Sequence, residues 1–464
     1  MSPLYSIDEI VAATSGEARR VERSGIGSIS IDSRDLSEGA LFVAISGDRF
    51  DGHDFVDDAV QRGAAAALVS ADRADSVDSP LIVVPDALEG LVALGRYARE
   101  RSVAKIVAVT GSVGKTTTKE AIRIALSGSG ATHAGVRSFN NHWGVPLTLA
   151  RMPRDTAYGV FEIGMNHAGE ITPLVQQVRP HVAVITTIAP AHIENLGSIE
   201  AIARAKAEIF SGVVPGGAVL INIDHDQRDI LLAEASRAEV DNVVTYGFAQ
   251  GSDWQITDYA QDEAGSELTV RHHGVDHRLR IGAAGRHMAS NAAAALAASA
   301  LCGAEIGAAA EALQSFGAPE GRGQRFLLGP AEAKLVLVDE SYNANLASMS
   351  AALEVFRDLT PPGGRKIVVL GDMLELGAHS AQMHRDLQHP LAAANPDAVY
   401  LVGRHMQALA DVIGPSGVAG HAHSVGELIT PLLDSLAYGD AVMVKGSNGV
   451  GLGRMVEAIR ARFG

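Results

Sequence analysis

Along most of its length this chain alternates short, unbroken apolar runs with longer segments in which apolar and polar residues mix. Ile106-Val107-Ala108-Val109, Val160-Phe161-Glu162-Ile163, Val182-Ala183-Val184-Ile185 and Ala218-Val219-Leu220-Ile221 are such runs. They read as strands buried on both faces, and intervening segments such as 115–126 read as covering helices. The pattern predicts a parallel sheet between two helical layers. From Asn242 to Ile281 the texture changes to alternating positions, as in Glu267-Leu268-Thr269-Val270-Arg271. That predicts an antiparallel insertion or flanking sheet.

The same texture returns later in Leu335-Val336-Leu337-Val338-Asp339, Ile367-Val368-Val369-Leu370-Gly371, Ala398-Val399-Tyr400-Leu401-Val402 and Ala441-Val442-Met443-Val444. Four buried strands, each ending near Asp, Gly or Lys, predict a second doubly wound unit with its crevice at those carboxyl ends. Before both units lie short runs such as Ala40-Leu41-Phe42-Val43-Ala44-Ile45, separated by Gly- and Asp-rich turns, then a helical stretch over 86–101. The expectation is an α/β protein of three domains: a small N-terminal α/β domain over 1–85, a central domain over 86–317 and a C-terminal Rossmann-like domain over 318–464. At 464 residues the chain exceeds what one core organises.

Composition narrows the ligands. With 54 acidic against 38 basic residues the net charge is −16, which repels nucleic acid and anionic lipid over most of the surface. An anionic ligand must then be drawn by a local pocket. The single cysteine, Cys302, excludes an internal disulfide framework and fits a reducing compartment. No basic-then-apolar signal segment opens the sequence, and no apolar stretch is long enough to span a bilayer. A cytoplasmic, monomeric protein without a membrane span is expected.

Candidate chemistry begins at Thr110-Gly111-Ser112-Val113-Gly114-Lys115-Thr116-Thr117, between a buried strand and a helix. Glycines Gly111 and Gly114 let main-chain N–H groups, with Ser112 and Val113, turn around phosphate oxygens, and the helix start adds positive potential. Lys115 can reach the outer phosphates, and Thr116, followed by Thr117, can ligate Mg²⁺. The strict phosphate-loop pattern wants glycine where this chain has Val109. A nucleoside triphosphate site is predicted, and the absence of an Asn-Lys-x-Asp tetrapeptide argues against a guanine-nucleotide switch. Glu162 and His192 fall at or just beyond the ends of predicted strands, where an open sheet places its ligands. Either could help hold a divalent cation, and either alone is equally an ordinary loop or core residue.

Taken in order, these motifs resemble the Mur ligase family over essentially the whole chain. The resemblance implies ATP bound by the glycine loop, magnesium held by Thr116, Glu162 and His192, and catalysis by Lys115, His192, Lys206 and Arg325. Lys206, in Ala205-Lys206-Ala207-Glu208, matches a lysine carbamylated in several members; without the family it reads as a solvated lysine on a helix. Gly285-Arg286-His287-Met288-Ala289-Ser290-Asn291 resembles the adenine-side motif, with Asn291 on the base. Gly321-Arg322-Gly323-Gln324-Arg325-Phe326 matches the entry to the third domain, with Arg325 approaching phosphates and Asp339 binding the ribose. Asn291 is otherwise a plausible helix cap, and Asp339 a turn former.

Three segments are similar to the subgroup that adds D-alanyl-D-alanine to UDP-N-acetylmuramoyl-tripeptide. They are Asn140-Asn141-His142-Trp143-Gly144-Val145-Pro146, Glu162-Ile163-Gly164-Met165-Asn166-His167 and Gly371-Asp372-Met373-Leu374-Glu375-Leu376-Gly377. Ala168 and Leu346 stand where that subgroup has prolines, and His142-Trp143 replaces its usual pair. The resemblance implies that Ser33, Arg34, Asp51, Gly52 and His53 dock the uridine nucleotide, with Asn140 and Asn141 nearby. It also implies that Asn343, Asn345 and Lys445 serve the dipeptide. Asp-Ser and Asp-Gly are equally common turn pairs. The rivals are another amide ligase, such as a folylpolyglutamate synthetase, and a nucleotide-binding module without ligase chemistry.

Overall fold

In the computed structural model, which describes residues 3–47, 50–136, 138–191, 193–262 and 264–464, the buried runs become strands in three successive sheets. The first has five strands in the order Glu17–Arg19, Leu81–Val84, Ala66–Ser70, Ala40–Val43 and Ser28–Ser30. All are parallel except the Glu17–Arg19 edge. Asp86 starts the following helix, Ala87–Glu100, by accepting a hydrogen bond from Glu89 N–H at 2.8 Å.

The central sheet has nine strands. Lys105–Thr110 lies between Val182–Ile185 and Tyr158–Glu162, so the strand order reverses beside it. An open α/β sheet leaves its ligand crevice at such a reversal. The polar/apolar alternation predicted an antiparallel region from Asn242, and the structure corrects its start. Asn242–Gly247 is parallel to Ala218–Asn222, and the antiparallel ribbon begins at Trp254. Nor is it a separate sheet: Trp254–Asp262, Gly265–His272 and Val275–Ile281 continue the parallel one. Asn242–Gly247 is a partly exposed strand, so it lacks the unbroken apolar run of its buried parallel neighbours.

The C-terminal sheet has six strands rather than the four that were legible. Gln324–Leu328 pairs antiparallel with Leu335–Glu340 at one edge, and the short Gly420–Ala422 closes the other. Both edge strands are too polar or too short to give a buried-strand signature. Helix Arg286–Leu301 lies in the apolar core of the central domain. At its end Cys302 is buried, and burial pushes its thiol up to about 12. Among the described residues no helix is long and apolar enough to cross a membrane.

Shared packing holds the domains together. One apolar cluster joins Ile10, Ile29 and Leu41 of the first sheet's domain to Leu94, Leu147 and Ala150. Around it, the Tyr5 hydroxyl donates to Ala150 O at 2.7 Å, and the Arg101 guanidinium lies 4.2 Å from the Tyr5 ring centre. Glu9 ties Tyr97, whose hydroxyl donates to it at 2.9 Å, and pairs with Arg154.

The Arg154 hydrogen bond, opposed by partial burial and supported by Ser6 N–H and the Tyr97 hydroxyl, holds the Glu9 carboxyl down at about 2. A depressed carboxyl contributes stability above its unfolded value of about 4.3 and loses it as pH falls through the folded value. Glu9→Gln should therefore flatten the pH dependence of the urea midpoint between about pH 4.3 and 2. The cost at neutral pH should be no more than about 1 kcal/mol, because the pair is solvent-accessible. An unchanged acid limb in the variant would remove Glu9 from that role.

Candidate active site

At the strand reversal, Lys105–Thr110 ends in a loop whose shape glycine alone allows. Gly111 has φ +151°, and a Cβ there would lie 1.8 Å from Thr186 Oγ1. That hydroxyl donates to Val113 O at 2.6 Å, and Ser112 N–H donates to Thr187 O at 2.8 Å, so the neighbouring strand end moulds the loop. Gly114, at φ +88°, precedes helix Lys115–Ser127. Lys115 Nζ folds back to donate to Gly111 O at 2.8 Å. Burial lowers its pKa, the Glu162 charge opposes this and Arg322 adds to it. The Ser112 hydroxyl is buried with no hydrogen-bond partner among the described residues. The loop borders a cleft of about 350 Å³ that also takes residues from the C-terminal sheet.

A carboxylate faces the loop. Glu162 ends strand Tyr158–Glu162 and is buried. Its Oε2 accepts from Thr116 Oγ1 at 2.8 Å and its Oε1 from Asn140 Nδ2 at 2.7 Å, while Ser138 Oγ lies 3.1 Å from Thr116 Oγ1. These oxygens suit a hard cation such as Mg²⁺. His192, the other predicted metal residue, lies outside the described residues. Among those described, no group of three His, Cys, Asp or Glu side chains is placed to hold a metal. Lys206 is not the solvated lysine its helix suggested: it is 1 % exposed, and burial, then the Lys115 charge, holds its amine well below the usual lysine range.

Asn291 sits against the loop, its Oδ1 accepting from Thr118 Oγ1 at 3.0 Å. A second cavity, of about 470 Å³, continues from the cleft through Thr187, His287 and Ser290. There Arg286 covers the Phe248 ring at 3.7 Å, and the Asp224 carboxylate accepts from the N–H groups of Phe248 and Ala249.

From the C-terminal sheet come Asn343, Asn345 and Lys445, all lining the cleft. Lys445 is buried and donates to Glu340 Oε2 at 2.9 Å and Asn343 O at 3.2 Å. Asn345 also caps helix Leu346–Arg357 reciprocally with Ser348. Two predicted residues stand elsewhere. Asp339 does not line the cleft; its Oδ1 accepts from Ser341 N–H and Oγ–H and so shapes the turn. Arg325 lines a small neighbouring cavity with Val338 and Phe356, which borders the cleft at His287, Met288 and Glu340, and Arg322 is the arginine in the cleft itself, 4.3 Å from the Tyr342 ring centre.

The predicted uridine-side residues are not gathered into the cleft. Ser33 is buried, and exposed Arg34 is paired to Asp32 through Nε and Nη2 at 2.9 and 2.8 Å. Asp51 binds His53 Nδ1 at 2.6 Å and pairs with Arg73, while His53 Nε2 accepts from Ser70 N–H at 3.0 Å. Both ring nitrogens of His53 are thus engaged in holding the loop. Gly52 N–H donates to Ile45 O at 2.9 Å, and Asn141 Oδ1 accepts from Gly144 N–H at 2.9 Å. Sequence reasoning missed Ser138, Arg322, Glu340 and Tyr342. Glu340 had a signal: beside Asp339 at a strand end, one of two neighbouring acids must face the crevice.

Comparison with known proteins gives a consistent picture. The Mur ligase family, catalytic domain, matches residues 25–102; the Mur ligase middle domain matches 109–299; and the Mur ligase, glutamate ligase domain, matches 324–448. The chain is 36 % identical to the UDP-N-acetylmuramoyl-tripeptide--D-alanyl-D-alanine ligase of Escherichia coli, covering 93 % of each. Its fold resembles MurF from Acinetobacter baumannii with a TM-score of 0.85 and 29 % identity, covering 98 % of this chain and 99 % of that one. The MurF ligase from Thermotoga maritima, solved in complex with ADP, is similar with a TM-score of 0.77 and 25 % identity, covering 94 % and 97 %.

The loop geometry carries its own test. Gly111→Ala should weaken Mg²⁺–ADP binding more than tenfold, equivalent to about 1.4 kcal/mol, because the methyl group must displace the Thr186 hydroxyl. Calorimetric titration of the folded variant checks this; wild-type affinity would show that the loop does not grip phosphate.

Proposed function

This chain belongs to the Mur ligase family, and we propose that it joins D-alanyl-D-alanine to UDP-N-acetylmuramoyl-tripeptide with ATP as the source of activation. The observation that carries the reading is one cleft shared by two domains. The glycine loop and Glu162 line it from the central domain, and Glu340, Asn343 and Lys445 line it from the C-terminal domain. A triphosphate and an amine-bearing substrate can therefore meet there.

A free carboxylate is a poor acyl donor because oxide would have to leave. Transfer of the γ-phosphoryl group gives an acyl phosphate; amine attack then gives a tetrahedral intermediate, the amide and phosphate. The chain positions and neutralises. Loop N–H groups and Lys115 grip the triphosphate, and Ser112 offers a hydroxyl that has no partner among the described residues. Asn291 lines the cleft next to Ser290, where the second cavity begins, and that cavity has room for the base. Lys445 and Arg322 supply positive charge at the far side, and Arg325 and Asp339 would join the nucleotide on domain rotation.

The all-oxygen set of Thr116, Glu162 and Ser138 fits Mg²⁺, to which the sequence pattern adds His192; when bound, the ion would neutralise charge on the phosphates. Burial, then the Lys115 charge, lowers the Lys206 amine well below the usual lysine range, which favours the neutral form; that form can add carbon dioxide with loss of a proton, and the resulting carbamate would bring a further negative group toward Lys115. Residues 1–85 would dock the uridine nucleotide, 86–317 the ATP and 318–464 the dipeptide. The same reading takes the chain as a monomer, since the described residues of both cleft walls belong to one chain, and as cytoplasmic, since it draws on ATP.

Phosphate release should require both UDP-N-acetylmuramoyl-tripeptide and D-alanyl-D-alanine; ATP turnover indifferent to either would sink the ligase reading. A folylpolyglutamate synthetase-like activity would instead respond to a folate and glutamate. Lys206→Ala should lower turnover by about 10- to 100-fold, as loss of a supporting metal-site group does, with partial recovery on adding short carboxylic acids. Full activity in that variant would reject the carbamate.

A further inference from the structure

The segment 138–141 serves two domains at once. Asn140 holds Glu162 Oε1 through its amide, and its carbonyl accepts from Gly164 N–H at 2.8 Å. Ser138 stands beside Thr116. Between them, Phe139 turns away from the cleft and packs against the cluster that contains Ile29 and Leu41 of the first domain. The Arg151 guanidinium lies 6.0 Å from the Phe139 ring centre, and its Nε donates to Ile29 O at 2.6 Å. Ile29 belongs to strand Ser28–Ser30, which runs directly into residues 32–35, and the charge of Asp35 acts on Arg151.

Phe139 has little freedom to move alone. A Cβ on Gly144 would lie 2.6 Å from the Phe139 carbonyl carbon, so the start of helix Gly144–Ala150 rests on its backbone. Lys119 Nζ fixes the approach to the segment by donating to Gly135 O at 2.6 Å. Arg151 and Phe139 thus form a contiguous line of contacts from Ile29 and the 32–35 loop to Asn140. Asn140 in turn decides how the Glu162 carboxylate faces Thr116.

We infer that Phe139 and Arg151 are positioning residues that couple occupancy of the first domain beside residues 32–35 to the Thr116–Glu162 site, so that the uridine-nucleotide substrate and the magnesium nucleotide strengthen each other's binding. The inference rests on the proposed ligase reading for the identity of the first ligand. Coupling of this kind is reciprocal, because each ligand favours the same arrangement of the connecting segment.

The test is calorimetric titration of β,γ-methylene-ATP with Mg²⁺, with and without UDP-N-acetylmuramoyl-tripeptide, in the full-length wild type and in Phe139→Ala, Phe139→Leu and Arg151→Met. In the wild type the second ligand should tighten nucleotide binding by about 5- to 150-fold. Phe139→Ala and Arg151→Met should bring that factor close to one while each ligand alone still binds, and Phe139→Leu should restore most of it. A residue of purely structural importance would weaken the single-ligand affinities instead. No coupling in the wild type, or an undiminished factor in both variants, overturns the inference. Should Phe139→Ala not fold, Arg151→Met decides alone, since it keeps the aliphatic stem. A wild type that binds nucleotide but not the UDP-tripeptide refutes the ligase reading itself.

Discussion

The cleft depends on one buried carboxylate. Glu162 receives Thr116 from the phosphate-loop helix and Asn140 from the segment that leans on the first domain, and it is carried by a central strand. Three pieces of chain far apart in sequence are thereby held in one arrangement. Removing the acid would leave a buried hydroxyl and a half-buried amide without this acceptor, a loss larger than one ordinary hydrogen bond. The phosphate-loop side of the site is thus built on strands and a helix start, and the C-terminal domain supplies the opposite wall.

Charge is distributed in layers. The chain as a whole is strongly acidic, yet Lys115, Lys119, Lys206 and Lys445 are all buried or nearly so around the cleft. Burying ammonium groups is unfavourable unless carbonyls, carboxylates or a ligand answer them. Gly111 O, Gly135 O and Glu340 answer Lys115, Lys119 and Lys445, while burial lowers the Lys206 amine toward its neutral form instead. An incoming polyphosphate supplies the remaining negative charge, so selection for an anionic ligand happens inside the cleft and not at the surface.

Much of this was legible in the amino-acid order, for definable reasons. Both-face burial gives a strand an unbroken apolar run, so Val182–Ile185 and Ala398–Val402 could be bounded to the residue. The edge strands Gln324–Leu328 and Gly420–Ala422 could not, because an edge needs no apolar run. At the site, the glycine loop was readable because its spacing encodes a backbone shape. Arg322 against Arg325, and Glu340 against Asp339, were not, since each choice depends on which way a neighbouring side chain projects once the strand is paired. Lys206 misled for a related reason: a nine-residue helix with Glu200 and Arg204 looks solvent-facing until its other side meets the central sheet. Asp51 and His53 form a self-contained knot with Arg73 and Ser70, which the sequence could present only as a turn.

The lone thiol at the end of helix Arg286–Leu301 has a practical corollary. Cys302 is packed in the apolar core and kept protonated, so alkylating reagents, which need the thiolate, will pass it by in the folded protein. The wild-type background is therefore chemically silent toward maleimides. Pairs of cysteines introduced on two domains can carry donor and acceptor dyes without first deleting a native residue, which makes the chain ready for single-molecule distance measurements between its domains.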